Sequence, residues 1–204
     1  GGKYVIKDTT YDGKLFAVYT FESTPLAKTY LNACIEYYKI YTNLFGPYPF
    51  SSFVVVENFF ATGFGMPNYT LLSNQLMKMP WVTLTPGALA HEFVHNWWGN
   101  SVFVNSDREN WCEALTTFST NYYYNVVTGN DQKAFEWRQS ALVSLESLPN
   151  KLNYPLKDFK YQATDEDAII GYQKGGFVFY ELYKLMGKDN FFGFLKSFAS
   201  IIFP

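Results

Sequence analysis

Apolar positions recur along this chain with two different periods, and the change of period organises it. Residues 4–6 and 15–21 are short runs rich in aromatic and β-branched side chains on either side of Asp12-Gly13. That dipeptide favours a tight hairpin, so both runs are predicted strands. A helix follows: Thr24 and Pro25 supply a cap and a first-turn proline. Leu26, Tyr30, Leu31, Ile35, Tyr38 and Tyr41 then recur at helical spacing until Gly46-Pro47. Phe53-Val54-Val55-Val56 reads as a buried strand.

Residues 58–80 mix Gly, Pro, Asn and Met without a period and are predicted as a loop with extended pieces that lines a site. From there the period is helical. Thr85-Pro86 opens a helix expected to carry Ala88 to Trp98 and to stop at Gly99. A further helix is predicted over 111–127, ending at Gly129. Another, capped by Asn130 or Asp131, runs to about residue 147. After a loop over 149–167, helices return at 172–186, closed by Gly187, and from about Asn190 onward. Strands first and helices later predict an α+β fold, a small sheet followed by a mainly helical bundle.

No repeat or linker interrupts the pattern, so residues 1–204 are expected to form one catalytic domain. Residues 1–22 would be the edge of a preceding β region. The apolar run 198–204 lacks a polar terminus, which predicts a piece of a longer polypeptide whose flanking domains are missing.

Composition narrows the chemistry. With 48% hydrophobic residues in 204, the chain can bury a substantial core, and no apolar stretch is long enough to span a membrane. A net charge of -2 provides no basic field, which argues against nucleic acid as a partner. Aromatic residues reach 21%, enough both to fill a core and to line a groove for peptides. Two cysteines, Cys34 and Cys112, are too few to signal a disulfide scaffold or a redox compartment.

The chain holds only two histidines, and both fall in the pattern His91-Glu92-Phe93-Val94-His95. Residues four apart on a helix share a face, so the two imidazoles can serve one zinc ion. Glu92 sits beside them as the base for the attacking water, whose pKa zinc lowers to ~7. A catalytic zinc takes three protein ligands, and no third histidine exists. Glu113 is the leading candidate, with Cys112, Asp107 and Glu109 as rivals; a first-turn glutamate is also what the helix dipole alone would favour.

The stretch 91–100, His-Glu-Phe-Val-His-Asn-Trp-Trp-Gly-Asn, together with Trp111-Cys112-Glu113-Ala114-Leu115, resembles the gluzincin peptidases of the alanyl aminopeptidase (aminopeptidase N) family. The span between His95 and Glu113 is one residue shorter than the family usually has. Downstream, Tyr172-Gln173-Lys174-Gly175-Gly176 is similar to the family's Tyr-x-Lys-Gly segment. This resemblance implies a thermolysin-like catalytic domain that hydrolyses peptides with one zinc per chain, Tyr172 bonding the tetrahedral oxyanion. It also implies that Gly65, Met66 and Asn68 run along the substrate, where the family keeps a Gly-x-Met-Glu-Asn strand. In that strand a glutamate grips the free amino terminus, and here Pro67 stands in its place. Removal of amino-terminal residues is the expected activity, with an endopeptidase or another peptidase subtype as the alternative that Pro67 opens. A non-catalytic scaffold or binding domain is the competing class.

Overall fold

A computed structural model describes residues 2–61, 63–84, 87–105 and 107–200. They divide into two compact units, 2–101 with Ala199 and Ser200, and Val102–Phe198.

The first unit is built on a five-stranded mixed sheet of order β1-β2-β3-β5-β4. Strands β1 (Val5–Tyr11) and β2 (Lys14–Thr20) form the expected hairpin. Its turn residues Asp12 and Gly13 both have positive φ, 51° and 70°, the twist that a two-residue hairpin requires. Helix α1 (Leu26–Phe45) crosses from β2 to β3 (Ser52–Asn58), and these two strands pair in parallel. Thr24 accepts the Leu26 amide at 3.3 Å, and Gly46, at φ 97°, ends the helix.

In 58–80, where an irregular loop was expected, the chain makes a second hairpin: β4 (Gly63–Met66) and β5 (Tyr69–Ser73), joined at Pro67-Asn68. The extended pieces are present but too short to show a period, and two glycines in a four-residue strand hide the alternation. Strand β5 lies parallel to β3, so β2, β3 and β5 share one direction, with β1 and β4 antiparallel at the edges. Short helices α2 (Asn74–Met77) and α3 (Pro80–Thr83) lead toward α4 (Ala88–Val94). The Thr85-Pro86 helix start lies outside the described residues.

Phe93 of α4 anchors the unit's aromatic core. Its ring lies 4.6 Å from that of Phe53 and 5.5 Å from that of Tyr48, with Tyr37, Tyr41 and Trp97 around it. Much of the aromatic content is thus core packing, with the edge-to-face and stacked contacts such rings favour.

The second unit is helical: α5 (Cys112–Thr117), α6 (Tyr124–Val127), α7 (Asp131–Ser147), α8 (Asp165–Ala168), α9 (Gly175–Met186) and α10 (Lys188–Ser200). The helix expected over 111–127 is continuous but passes through a π-helical turn at Phe118–Tyr123. A second π turn, Ile169–Lys174, joins α8 to α9, so the helix expected to begin at Tyr172 begins earlier, at Asp165. Thr164 and Asp167 form a reciprocal capping box there. Asn130 accepts the Lys133 amide as the cap of α7, and Gly129 and Gly187 carry positive φ at the helix ends. Phe118, Tyr122, Tyr123, Phe191 and Phe192 form the core of this unit, with the half-buried Tyr183 packed against them.

A small mixed sheet followed by helices is the α+β arrangement expected, with β2-α1-β3 as one parallel crossover within it. Among the described residues no helix is long and apolar enough to cross a membrane.

Candidate metal and catalytic site

Helix α4 has two faces. Leu89, Ala90, Phe93 and Val94 are buried, which fixes the helix against the aromatic core. His91, Glu92 and His95 are half-buried on the other side. The helix ends at Val94, four residues before the expected stop near Trp98, because the chain tightens: Asn96 N–H bonds Phe93 O and Trp97 N–H bonds Val94 O, three residues back. Gly99, at φ 108°, still marks where the chain turns away.

This tightening has a chemical consequence. It brings Trp98 O within 2.9 Å of His95 Nδ1. A carbonyl can only accept, so Nδ1 carries the proton and Nε2 carries the lone pair. Nitrogens of His91 and His95 come within 4.8 Å of one another, with ring centroids 4.7 Å apart. The donor set fits a metal ion: two imidazoles on one helix face, one with its tautomer set by a backbone acceptor.

Glu92 faces strand β4. A Cβ at Gly65 would lie 2.6 Å from Glu92 Oε2 and 3.3 Å from His95 Cβ, and one at Gly63 would lie 3.4 Å from Glu92 Oε1. Gly65 therefore makes room for the carboxylate, while Gly63 lies in ordinary contact with it. The β4–β5 turn is held to the same helix, since the buried Asn96 accepts the Asn68 amide at 2.9 Å and donates to Phe93 O at 2.8 Å. Asn68 itself sits at φ 65°, while Pro67 is exposed at the turn. Met66 pairs with Tyr69 at the end of β4. Sequence reasoning did not single out Asn96; its place directly after the second histidine was the available signal.

In the second unit, Glu113 is half-buried in the first turn of α5. Asn110 sets where that helix starts: its Oδ1 accepts from Cys112 N at 3.2 Å and Cys112 Sγ at 3.0 Å, while its backbone N–H donates to Phe159 O. Cys112 is a buried free thiol, as is Cys34 in the first unit. Asp107 and Glu109 are exposed.

Tyr172 lies within the second π turn, its ring 6.4 Å from Phe159 at an edge-on angle of 78°. Gly171 permits this, because a Cβ there would fall 2.2 Å from the Phe159 ring. Beside it, Lys174 Nζ donates at 2.7 Å to Asn153 Oδ1 and Tyr154 O. The glycines that follow have a packing role. A Cβ at Gly175 would meet Ala114 Cβ at 2.5 Å, and one at Gly176 would meet Thr117 Cγ2 at 3.2 Å. Helix α9 thus lies against α5 with the residue next to Glu113 at the crossing.

Comparison with known proteins agrees with this fold. The model of the Peptidase family M1 domain matches residues 27–201. Among solved structures, the M1 zinc metallopeptidase of Deinococcus radiodurans superposes with a TM-score of 0.71 at 16% identity, over 98% of this chain and 45% of that one. A mutant of that enzyme bound to a Tyr-Ser-Ala substrate gives 0.67 at 18% identity, over 98% and 45%. Leukotriene A4 hydrolase from Saccharomyces cerevisiae gives 0.69 at 16% identity, over 96% and 33%. At these identities the likeness is one of fold, and the chain spans less than half the length of each of these proteins. Zinc is the metal of the family, and His91 and His95 offer nitrogen donors suited to it. With its fold, its histidine pair and a family match over most of its length, the chain belongs to peptidase family M1.

Proposed function

We propose that residues 1–204 form the catalytic domain of a zinc-dependent peptidase that removes amino-terminal residues from peptides. The observation that carries this reading is the half-buried face of α4, where two histidines converge beside a glutamate for which Gly65 of β4 makes room.

In this reading His91, His95 and Glu113 hold the metal. Zinc, when bound, supplies a Lewis acid that polarises the scissile carbonyl and acidifies water. Glu92 takes the proton of the attacking water as its oxygen bonds the carbonyl carbon, then delivers it to the amine nitrogen as the C–N bond breaks. Tyr172 donates its hydroxyl hydrogen to the oxyanion. Backbone groups of Gly65, Met66 and Asn68 run beside an extended peptide, which β4 can receive as an added strand.

Pro67 favours a second reading of the specificity. A proline has no carboxylate to hold an ammonium group and no N–H, so this turn cannot grip a free amino terminus through that side chain. An endopeptidase, or a peptidase for another chain end, follows if no other acid takes that role.

Two measurements test these readings together: zinc content, and cleavage of matched peptides with free and acetylated amino termini. The proposal requires one zinc per chain, absent from a His91→Ala, His95→Ala, Glu113→Ala variant, and turnover that Glu92→Gln abolishes. Preference for free termini supports the aminopeptidase; equal cleavage of blocked peptides supports the second reading. Zinc bound without any turnover would instead indicate a non-catalytic domain.

A further inference from the structure

The carboxyl ends of the parallel strands β2, β3 and β5 come together at Thr20, Asn58 and Ser73, and open α/β sheets place ligands outside such ends. A cavity of about 350 Å³ lies there. His91, Glu92 and His95 do not line it, and nothing in the peptidase chemistry uses it.

Glu57 is its most informative residue. It stands next to last in β3 and is only 8% exposed, yet it lines the cavity. Oε2 accepts the Phe21 amide at 2.7 Å, the one hydrogen bond this carboxylate makes among the described residues. A carboxylate has room for about four donors, and a buried charge is costly unless it is well paired. The natural complement is a protonated amine, which brings three donors and the opposite charge.

The same cavity carries positive charge. Lys78 lines it together with a second carboxylate, Glu22. So do Thr24 and Leu26 at the amino end of the long helix α1, where the helix dipole favours an anion although the Leu26, Ala27 and Lys28 amides already donate to Thr24 and Pro25. Both signs in one small space suit a ligand that carries both. Phe21, Leu26 and Met77 supply an apolar wall.

We propose that this cavity is a binding site for a free α-amino acid with an apolar side chain. Its ammonium group meets Glu57, its carboxylate meets Lys78 within the dipole field of α1, and its side chain packs on Phe21, Leu26 and Met77. The proposal is independent of the peptidase reading.

The test is calorimetric titration of the chain with L-methionine, N-acetyl-L-methionine and L-methionine amide, with the Phe21 amide resonance followed by NMR. Three chains are compared: the unaltered protein, Glu57→Gln, which keeps an acceptor for the Phe21 amide, and the surface change Lys78→Met. Titrations are repeated on a His91→Ala, His95→Ala background to remove binding at the metal site. L-Methionine should bind and shift the Phe21 resonance on both backgrounds. Acetylation of the ligand or Glu57→Gln should weaken binding about ten-fold or more, and the amide or Lys78→Met should weaken it several-fold. No binding by the unaltered chain, unchanged affinity in Glu57→Gln, or equal binding of the acetylated ligand would overturn the proposal.

Discussion

Gly65 and Glu92 are in contact across two elements: the glycine backbone of β4 leaves the space that the glutamate carboxylate occupies, and a methyl group there would sit 2.6 Å from Oε2. Substituting Gly65→Ala should displace the carboxylate without unfolding the sheet, since alanine is compatible with an extended strand. If Glu92 is the general base, kcat should fall by about ten-fold to a hundred-fold, part of the 10²–10⁴ such a group contributes. Zinc content should not change. Peptide turnover, metal analysis and circular dichroism on the same preparation check this.

Helices α5 and α9 meet glycine to alanine. Gly175→Ala would force two Cβ atoms to 2.5 Å, and overpacking of this kind typically costs about 1–3 kcal/mol. The compensating double change Gly175→Ala, Ala114→Gly should recover most of the loss. Urea unfolding of the two variants measures it, and a stability of Gly175→Ala equal to that of the unaltered chain would refute the close crossing.

Asn96 ties the β4–β5 turn to α4 by two side-chain hydrogen bonds from a fully buried position. Asn96→Leu should cost about 1–3 kcal/mol through the groups left unsatisfied. It should also loosen the turn at Asn68, raising KM for peptides more than it lowers kcat if that turn lies along the substrate. Denaturant titration and steady-state kinetics distinguish the two effects.

The Tyr154 hydroxyl donates to Asp167 Oδ1 at 2.6 Å, and this bond, ahead of the amides of Ala163 and Thr164, holds the Asp167 carboxyl below its ordinary pKa of 3.8. A carboxyl lowered on folding adds stability above its unfolded pKa and loses it as pH falls through the folded value. The start of α8 should therefore keep its protection against amide exchange above pH 3.8 and lose it below. Asp167→Asn should flatten that dependence. Hydrogen exchange at Asp167 and Ala168 reads it directly.

The order of strands and helices was legible because long amphipathic segments announce themselves: the stripe on α1 and the helix-end residues Asn130 and Gly187 are local chemistry, whereas at the start of α1 the cap position is Pro25 and the expected Thr24 lies one residue before it. The β4–β5 hairpin was not, because four residues with two glycines carry no period and are held in place by α4, a partner distant in sequence. The π turns at Phe118–Tyr123 and Ile169–Lys174 escaped for a related reason, since they are set by packing between helices and leave the apolar pattern intact. At the site, His91, Glu92 and His95 could be named from spacing alone. Asn96 and the roles of Gly65, Gly171 and Gly175 could not, because a glycine's reason lies in what occupies the space beside it.

The π turn at Ile169–Lys174 uncouples the helical phases on either side of Tyr172. Each residue of an ordinary helix is bound to its successors by a fixed rotation of about 100°, so moving one side chain moves all of them. One added residue breaks that bond between phases: the capped start at Thr164 and the α9 glycines against α5 are each anchored by their own contacts, and the tyrosine lies between them, packed on Phe159. Loss of a single residue from this stretch would leave the helix about as long and as apolar as before, yet swing one anchor a quarter turn past the other. For this segment, length tolerance is therefore far stricter than tolerance of composition.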